Sequence, residues 1–516
     1  LRGVVLDVGA QAPQIWIHYW EEGNATTNVV ALGVQAGFFS TNWGGLTAGP
    51  TYGYRITASN AAGATLSSVS TFQVQSNNAA WYVSANGAGV IGASWDSAFT
   101  NGQDALNVAS NGDTIYLAGQ TFVLTNPLAW TVSGVTMLGG YAATNMADAP
   151  GPYDTERWPT VLTRNPAVRT RILYIHDLSG AVLRRVTVTG GYPANATWGG
   201  GLYLSNVAGL ELTDCRITNN LVFQDGAAQE YGAGVYSLNS TVAMTNCLLR
   251  GNIGSGYYSV GMVGGGVYIV NGGWTMVDTL VLGNGGSYGS GGNGGGVYVN
   301  GGTHEFRNCL VAGNHDYYGS GLYVNNGTVT IRNCTVAQNT GSGVYRNGGT
   351  VTISDSVLWA NGDDVAGSLS LSYCSIEDGD NLGTNGCVSA DPRFERGFHL
   401  ATNSLCVDAG SAAASTLGLD GRTTRADGVP DSGIVDLGYH AASGIAWAVA
   451  DLYVAVTGAD NNSGTNAAQA FRTLTKAVST AGDGSRIHVA SGFYVKGGGE
   501  VFPLAIDKLG LQLLGT

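Results

Sequence analysis

Two phrases recur through the middle of the chain, and their spacing is the strongest constraint on what it can fold into. The first, Gly-[Gly/Ala/Ser]-Gly-[Val/Leu]-Tyr, ends at Tyr203, Tyr236, Tyr268, Tyr298, Tyr323 and Tyr345. The second, typified by CLVAGN, ends at Asn220, Asn252, Asn284, Asn314, Asn339 and Asn361. From each tyrosine to its asparagine the distance is 17 residues once and 16 five times; the return to the next tyrosine takes 16, 16, 14, 9 and 6. Strands stacked along one axis must hold their register, while a loop leaving the stack is free to vary. The shortest repeats fit one turn of a three-strand coil. They carry β-branched residues at period two, as in residues 328–331 and 334–336, and no helical period. The expected class is all-β: a right-handed parallel β-helix, each strand pairing with its equivalent one coil away at about 4.8 Å.

In such a stack equivalent positions form files. The aliphatics beside the tyrosines (Leu202, Leu204, Val267, Ile269, Val297, Val299, Leu322 and Val324) are expected to point inward. The asparagines are expected to form an internal amide ladder that satisfies backbone groups otherwise buried unpaired. Cys215, Cys247, Cys309 and Cys334 share one phase of the coil with Thr279 and Ser356, which marks a small inward slot. Cys374, Cys387 and Cys406 lie further on, where one disulfide of unspecified pairing is expected.

The GGGVYV and CLVAGN phrases are similar to the GGA[I/V] and FxxN repeats of chlamydial polymorphic outer-membrane proteins. More broadly, residues 78–440 resemble right-handed β-helix repeat proteins of bacterial surfaces. The run Asn111-Gly112-Asp113-Thr114-Ile115-Tyr116-Leu117-Ala118-Gly119 resembles the first coil of such helices. Asp391-Pro392-Arg393-Phe394, Leu419-Asp420-Gly421-Arg422 and Val435-Asp436-Leu437-Gly438 are similar to their closing segment. Residues 46–63 resemble the later strands of a fibronectin type III-like sandwich, a domain that usually takes about 100 residues. Residues 452–516 repeat the β-helix opening. The expected organisation is a partial fibronectin type III-like sandwich over 1–76 and a β-helix over 77–447, closed at about 365–440. The beginning of a second β-helix follows over 448–516, all within a slice of a longer modular protein. The resemblance implies export to the cell surface.

Composition narrows the function classes. A net charge of −13 gives no electrostatic case for binding nucleic acid or an anionic membrane. Glycine at 81 of 516 residues and charged residues at only 11% suit an extracellular repeat protein better than a cytosolic enzyme. Lysine is absent before Lys476, and the coil arginines Arg216, Arg250, Arg307, Arg332 and Arg346 look isolated. A β-helix lyase generally needs a basic proton acceptor, so this pattern argues against that chemistry. The catalytic candidates are His315 with Asp316, a base beside an orienting carboxylate, and the acid pair Asp363 and Asp364. The long loops offer Asp225, Gln229, Glu230 and Tyr231, then Tyr257, Tyr258 and Met262, with Tyr317 and Tyr318 after His315. Asp427, Asp431 and Asp436 are the calcium candidates; no other cofactor is implied.

With the flanking aliphatics inward, Tyr174, Tyr203, Tyr236, Tyr268, Tyr298, Tyr323 and Tyr345 should form an outward stripe. It reads either as stacking that stabilises the sheet or as a binding platform for glycan or protein. The leading expectation is a non-enzymatic extracellular structural or adhesive protein. Its partners would be copies of itself, neighbouring surface proteins or glycans. The alternative is a secreted polysaccharide-active enzyme or a carbohydrate-binding β-helix.

Overall fold

The computed structural model describes the chain apart from residues 1, 6–10, 37, 41–45, 47–49, 74–78, 90, 145–148, 195–197, 225–230, 257–262, 288–291, 317, 396, 443–449, 483, 505–507, 509–510 and 516. It divides into two compact units, Leu1–Ala79 and Ala80–Thr516. The first is antiparallel: Asn28–Val34, Gln14–Glu21, Thr51–Asn60 and Gly63–Leu66 lie side by side, with Ser70–Gln73 also on Thr51–Asn60. Ile15, Ile17 and Tyr52 are its buried side chains on that sheet.

The second unit is a parallel β-helix whose strands join one system of 26. One coil contributes Leu202–Ala208, Leu210–Thr213 and Arg216–Thr218. These pair in parallel with Val235–Leu238, Thr241–Thr245 and Leu248–Arg250 of the next coil. The landmark tyrosines fall rung on rung, Tyr203 beside Tyr236, then Tyr268, Tyr298, Tyr323 and Tyr345. Their aliphatic neighbours, from Leu202 to Val324, are buried in one continuous core. The glycines before each tyrosine are required by the closeness of the coils. A Cβ on Gly266 would stand 2.4 Å from the Gly296 carbonyl oxygen.

The amide ladder holds the coils at one corner. Asn220 Nδ2 donates to Asn252 Oδ1 at 2.9 Å, and the relay continues through Asn284, Asn314, Asn339 and Asn361 at 2.8–3.0 Å. Each receiving Oδ1 also accepts the backbone N–H of the preceding asparagine, and each Nδ2 also donates to a carbonyl of the core strand. Asp364 Oδ1 terminates the file by accepting from Asn361 Nδ2 at 2.8 Å.

The small slot is built the same way. Cys247 Sγ accepts the Cys215 N–H at 3.4 Å and donates to the Thr245 carbonyl at 3.3 Å; Ser356 Oγ does likewise between Cys334 N–H and Ser354 O. The residue ahead of each slot adopts the left-handed conformation: Asp214, Asn246, Asp278, Asn308, Asn333 and Asp355 have φ of 50–54°. Asn and Asp tolerate that corner better than other non-glycine residues. All seven cysteines are buried free thiols, so the disulfide expected in the closing segment is not formed.

Among the described residues three short α-helices depart from the all-strand expectation, one of them Ala414–Leu417 in the closing segment. Gly102–Val108, N-capped by Asn101, buries Ala105 and Leu106 against the first coil. Leu474–Thr480, N-capped by Thr473, buries Ala477 and Val478 near the C-terminus. Seven residues are too few to show a helical period, although the caps themselves are legible. Asp451–Val454, Arg486–Val489 and Gln512–Gly515 form a separate three-stranded parallel sheet around Leu452, Val454, Phe471 and Ile487.

The closing segment runs back along the outer side of the third strand file. Phe398 packs there with Leu282, Leu310, Ala312 and Ala337. Asn308 exchanges two hydrogen bonds with the His440 backbone at 2.6 and 2.7 Å, and Arg422 pairs with Asp278 at 2.7 Å.

Replacing Asn284 by Ala strands the Asn252 amide donors and the Leu249 carbonyl inside the core. Urea denaturation should show a loss of about 2–4 kcal/mol, given the cost of unpaired buried polar groups. The exposed Asn347→Ala variant should lose less than about 1 kcal/mol.

Candidate binding surface

The tyrosine stripe exists but is mostly covered. Successive rings from Tyr203 to Tyr345 stack at 4.9–5.5 Å with interplanar angles of 3–23°. Tyr236 is only 5% exposed and Tyr268, Tyr298 and Tyr323 are 8% exposed, packed with Trp198, Tyr231 and Val263. Burial raises the phenol pKa of all four, that of Tyr268 to about 12. The binding role expected of these four is therefore corrected: they form a second apolar core outside the coil. Of the six binding candidates, Tyr203 and Tyr345, at the two ends, are half-buried.

The catalytic candidates do not assemble. Among the described residues the His315 ring hydrogen-bonds no carboxylate, and partial burial lowers its pKa. Asp316 instead belongs to a turn in which its N–H and carbonyl meet the Ser320 hydroxyl at 3.1 and 2.8 Å. Asp364 is the terminal cap of the amide ladder, and its other oxygen accepts the Glu377 N–H at 2.6 Å. Burial pushes its pKa up to about 6. Asp363 is exposed, yet loss of some hydration to the surrounding chain, with Asp378 and Asp380 nearby, raises its pKa. Asp225, Gln229, Glu230, Tyr257, Tyr258, Met262 and Tyr317 lie outside the described residues.

Among the described residues, two clusters of three carboxylates have oxygens close enough to hold a metal: Asp363, Asp378 and Asp380, and Asp408, Asp431 and Asp436. The expected trio of Asp427, Asp431 and Asp436 is thus regrouped, because Asp427 turns away to pair with Arg425 at 2.5 Å. Asp431 accepts from His440 Nε2 at 2.8 Å and from the Asp436 N–H at 2.9 Å, while Asp436 accepts from the Asp408 N–H at 2.8 Å and from Thr424. These bonds tie the closing segment to itself.

A surface that the sequence reading passed over stands at the start of the tyrosine file. From Arg157 through His176 the sequence holds four arginines, Arg157 included, and neither Asp nor Glu, a signal that was available in the sequence. Arg171 lies 4.6 Å from the Tyr203 ring centre and 5.5 Å from that of Tyr174. Here the parallel stacking breaks, for Tyr174 meets Tyr203 edge-on at 77° and stacks on His176 instead at 4.2 Å. Beside them Tyr192 carries Arg169 at 4.6 Å and Arg164 at 5.3 Å, and Arg169 donates to its hydroxyl at 2.7 Å. Phe223 closes this side, edge-on to Tyr192. Tyr174, Tyr192, Tyr203 and Phe223 are all half-buried, so each leaves part of its ring to solvent.

Family models match two stretches: "Right handed beta helix region" over residues 265–407, and "Protein of unknown function (DUF1565)" over 456–516. The β-helix is thus right-handed, as expected. Among solved structures, pectate lyase Pel9A shares 16% identity at a TM-score of 0.43, covering 70% of this chain and 97% of its own. A rhamnogalacturonan lyase shares 13% at 0.33, covering 58% and 87%. No curated protein matches the sequence. No helix among the described residues is long and apolar enough to cross a membrane.

The raised pKa of Asp364 fixes a sign. The folded chain holds this proton more tightly than an unfolded aspartate with its pKa of 3.8. Its contribution is therefore full below about pH 4 and is lost as pH rises through about 6. Asp364→Asn should remove that component, so the stability difference between the two proteins should change between pH 4 and pH 7 in urea titrations. A difference independent of pH would contradict the assignment.

Proposed function

We propose that the β-helix is an extracellular polysaccharide-binding module, its site the half-buried aromatic surface at Tyr174, Tyr203 and Tyr192. The observation that carries this reading is the break in the tyrosine stack at Tyr174. Everywhere between Tyr236 and Tyr323 the rings are spent on one another, whereas here they part and leave apolar faces beside polar groups. Sugar rings present C–H faces to aromatics and hydroxyls to polar neighbours, and this surface offers both. The Asp177 carboxylate at its rim is held by His176 at 2.9 Å and by Asn206 at 2.9 Å. That leaves a fixed set of donors and acceptors near the rings.

A second reading, a structural or adhesive spacer, is favoured by the buried ring stack, which stiffens the coil along its length. The two are compatible: a stiff coil presents a site at a fixed place. On either reading the N-terminal antiparallel unit serves as a fibronectin type III-like companion domain.

Calorimetry against a panel of neutral and acidic polysaccharides should find at least one binder. Tyr203→Ala should weaken that binding at least tenfold while the thermal midpoint stays within a few degrees. Shortening of the polymer, read as new chain ends, would move the assignment to an enzyme. The absence of binding across the panel would remove it.

A further inference from the structure

The file of small residues in the core slot ends on two thiols. Cys334 N–H donates to Ser356 Oγ, and Ser356 pairs in register with Cys374. Beyond that strand Ser375 pairs with Val388 in a further parallel bridge. Val388 N–H donates to the Cys374 carbonyl at 2.9 Å and Ile376 N–H to the Val388 carbonyl at 3.0 Å, which sets Cys387 across from Cys374. Backbones paired in this way stand about 4.8 Å apart, inside the ~4.4–6.8 Å that separates the Cα atoms of bridged cysteines. Both side chains are buried, and their thiols interact directly. The Cys374 S–H and N–H beside it hold the Cys387 thiol down, to about 6, while the same contact and burial push the Cys374 thiol up. A thiol that ionises readily is the one that attacks in exchange.

Cysteines adjoin twice more in the file, Cys215 with Cys247 and Cys309 with Cys334, but there the strands are paired on both sides. Cys387 differs in its setting, for it is the only buried residue between Ile376 and Ala390. The exposed segment that carries it is a run of turns, closed by Leu382 N–H on the Gly379 carbonyl, Thr384 N–H on that of Asn381 and Cys387 N–H on that of Thr384. Lifting these turns bares one sulfur without parting two coils. Cys406 stands apart from the pair, its thiol set against the Ala390 carbonyl at 3.6 Å and the hydroxyls of Ser375 and Ser404.

We propose that Cys374 and Cys387, reduced in this structure, form a reversible disulfide that latches the last rung of the coil to the strand before it, the oxidant being another disulfide, either glutathione disulfide or that of a thiol oxidoreductase. The Cys387 thiolate attacks one sulfur of the oxidant; the S–S bond there breaks, and the other sulfur leaves as a thiolate and takes up a proton. Cys374 then loses its proton and attacks the Cys387 sulfur, which expels the second half of the oxidant as a thiol. The protein gives up two electrons and two protons, and the oxidant becomes two thiols. The latch is independent of what the coil binds.

The test exposes the folded full chain to oxidised glutathione, then unfolds and alkylates it. Two of the seven thiols should escape alkylation. The tryptic peptide 347–393, which holds both cysteines, should be lighter by two hydrogens until dithiothreitol restores it. Amide exchange at Ile376 and Val388 should slow by about tenfold or more in the bridged chain. Cys374→Ser, a residue the slot already accepts at Ser356, should trap glutathione on Cys387, whereas Cys387→Ser should trap none on Cys374. The wild-type measurements decide the matter even if a variant fails to fold. Seven free thiols after exposure would overturn the proposal, and so would a bridge from Cys215 to Cys247, from Cys309 to Cys334 or to Cys406. Unchanged amide exchange in the bridged chain would overturn the latch.

Discussion

Every strand of the β-helix makes its hydrogen bonds to strands one coil away, so the fold rests on keeping successive coils in register. The file of buried asparagines enforces this. A one-residue slip would carry an amide out of the corner and leave backbone groups unpaired in an apolar interior, a cost set by desolvation. Because each Oδ1 accepts two donors from the coil before it, the file is directional. It needs a carboxylate, Asp364, to receive the last amide. The elevated pKa of that group follows from its structural position and calls for no catalytic role.

The same register dictates what the outside can do. Once coils are fixed rung on rung, identical side chains must stack, and tyrosines repeated at one position become a column. Stacked and covered, such rings stabilise the coil and are lost to ligands. Rings left part-exposed are found at the two ends of the column, at Tyr203 and Tyr345. At the Tyr203 end the column is interrupted, with Tyr174 edge-on and Arg171 over Tyr203, and the proposed glycan site lies there.

The coil was legible because its fixed segment has a constant length, and the inward aliphatics, amide ladder and small slot follow from it directly. The left-handed corners were legible too, in the recurring Asn/Asp before each slot, but a reading centred on Cys, Thr and Ser passed over them. The burial of the tyrosines was not legible, because outward from the core is not the same as exposed to solvent. What covers them, Trp198, Tyr231 and Val263, comes from loops whose lengths follow no period. His315 and Asp316 show the matching limit: neighbours in sequence need not form a pair, and Asp316 is taken up by a turn with Ser320. The break in the ring column at Tyr174 is likewise a property of three-dimensional neighbours.

Rung-on-rung stacking is the claim on which the site and the core both depend, and a distance between spin labels tests it directly. Glu211 and Thr352 lie on the outer middle face, linked in register through Ala243, Thr275, Glu305 and Thr330. Five coils at the spacing of paired strands put their backbones about 24 Å apart. With labels on cysteines introduced at these two positions, pulsed electron spin resonance should give a single narrow distribution near that separation, widened only by the label arms. A broad distribution, or one centred far beyond it, would contradict the stack.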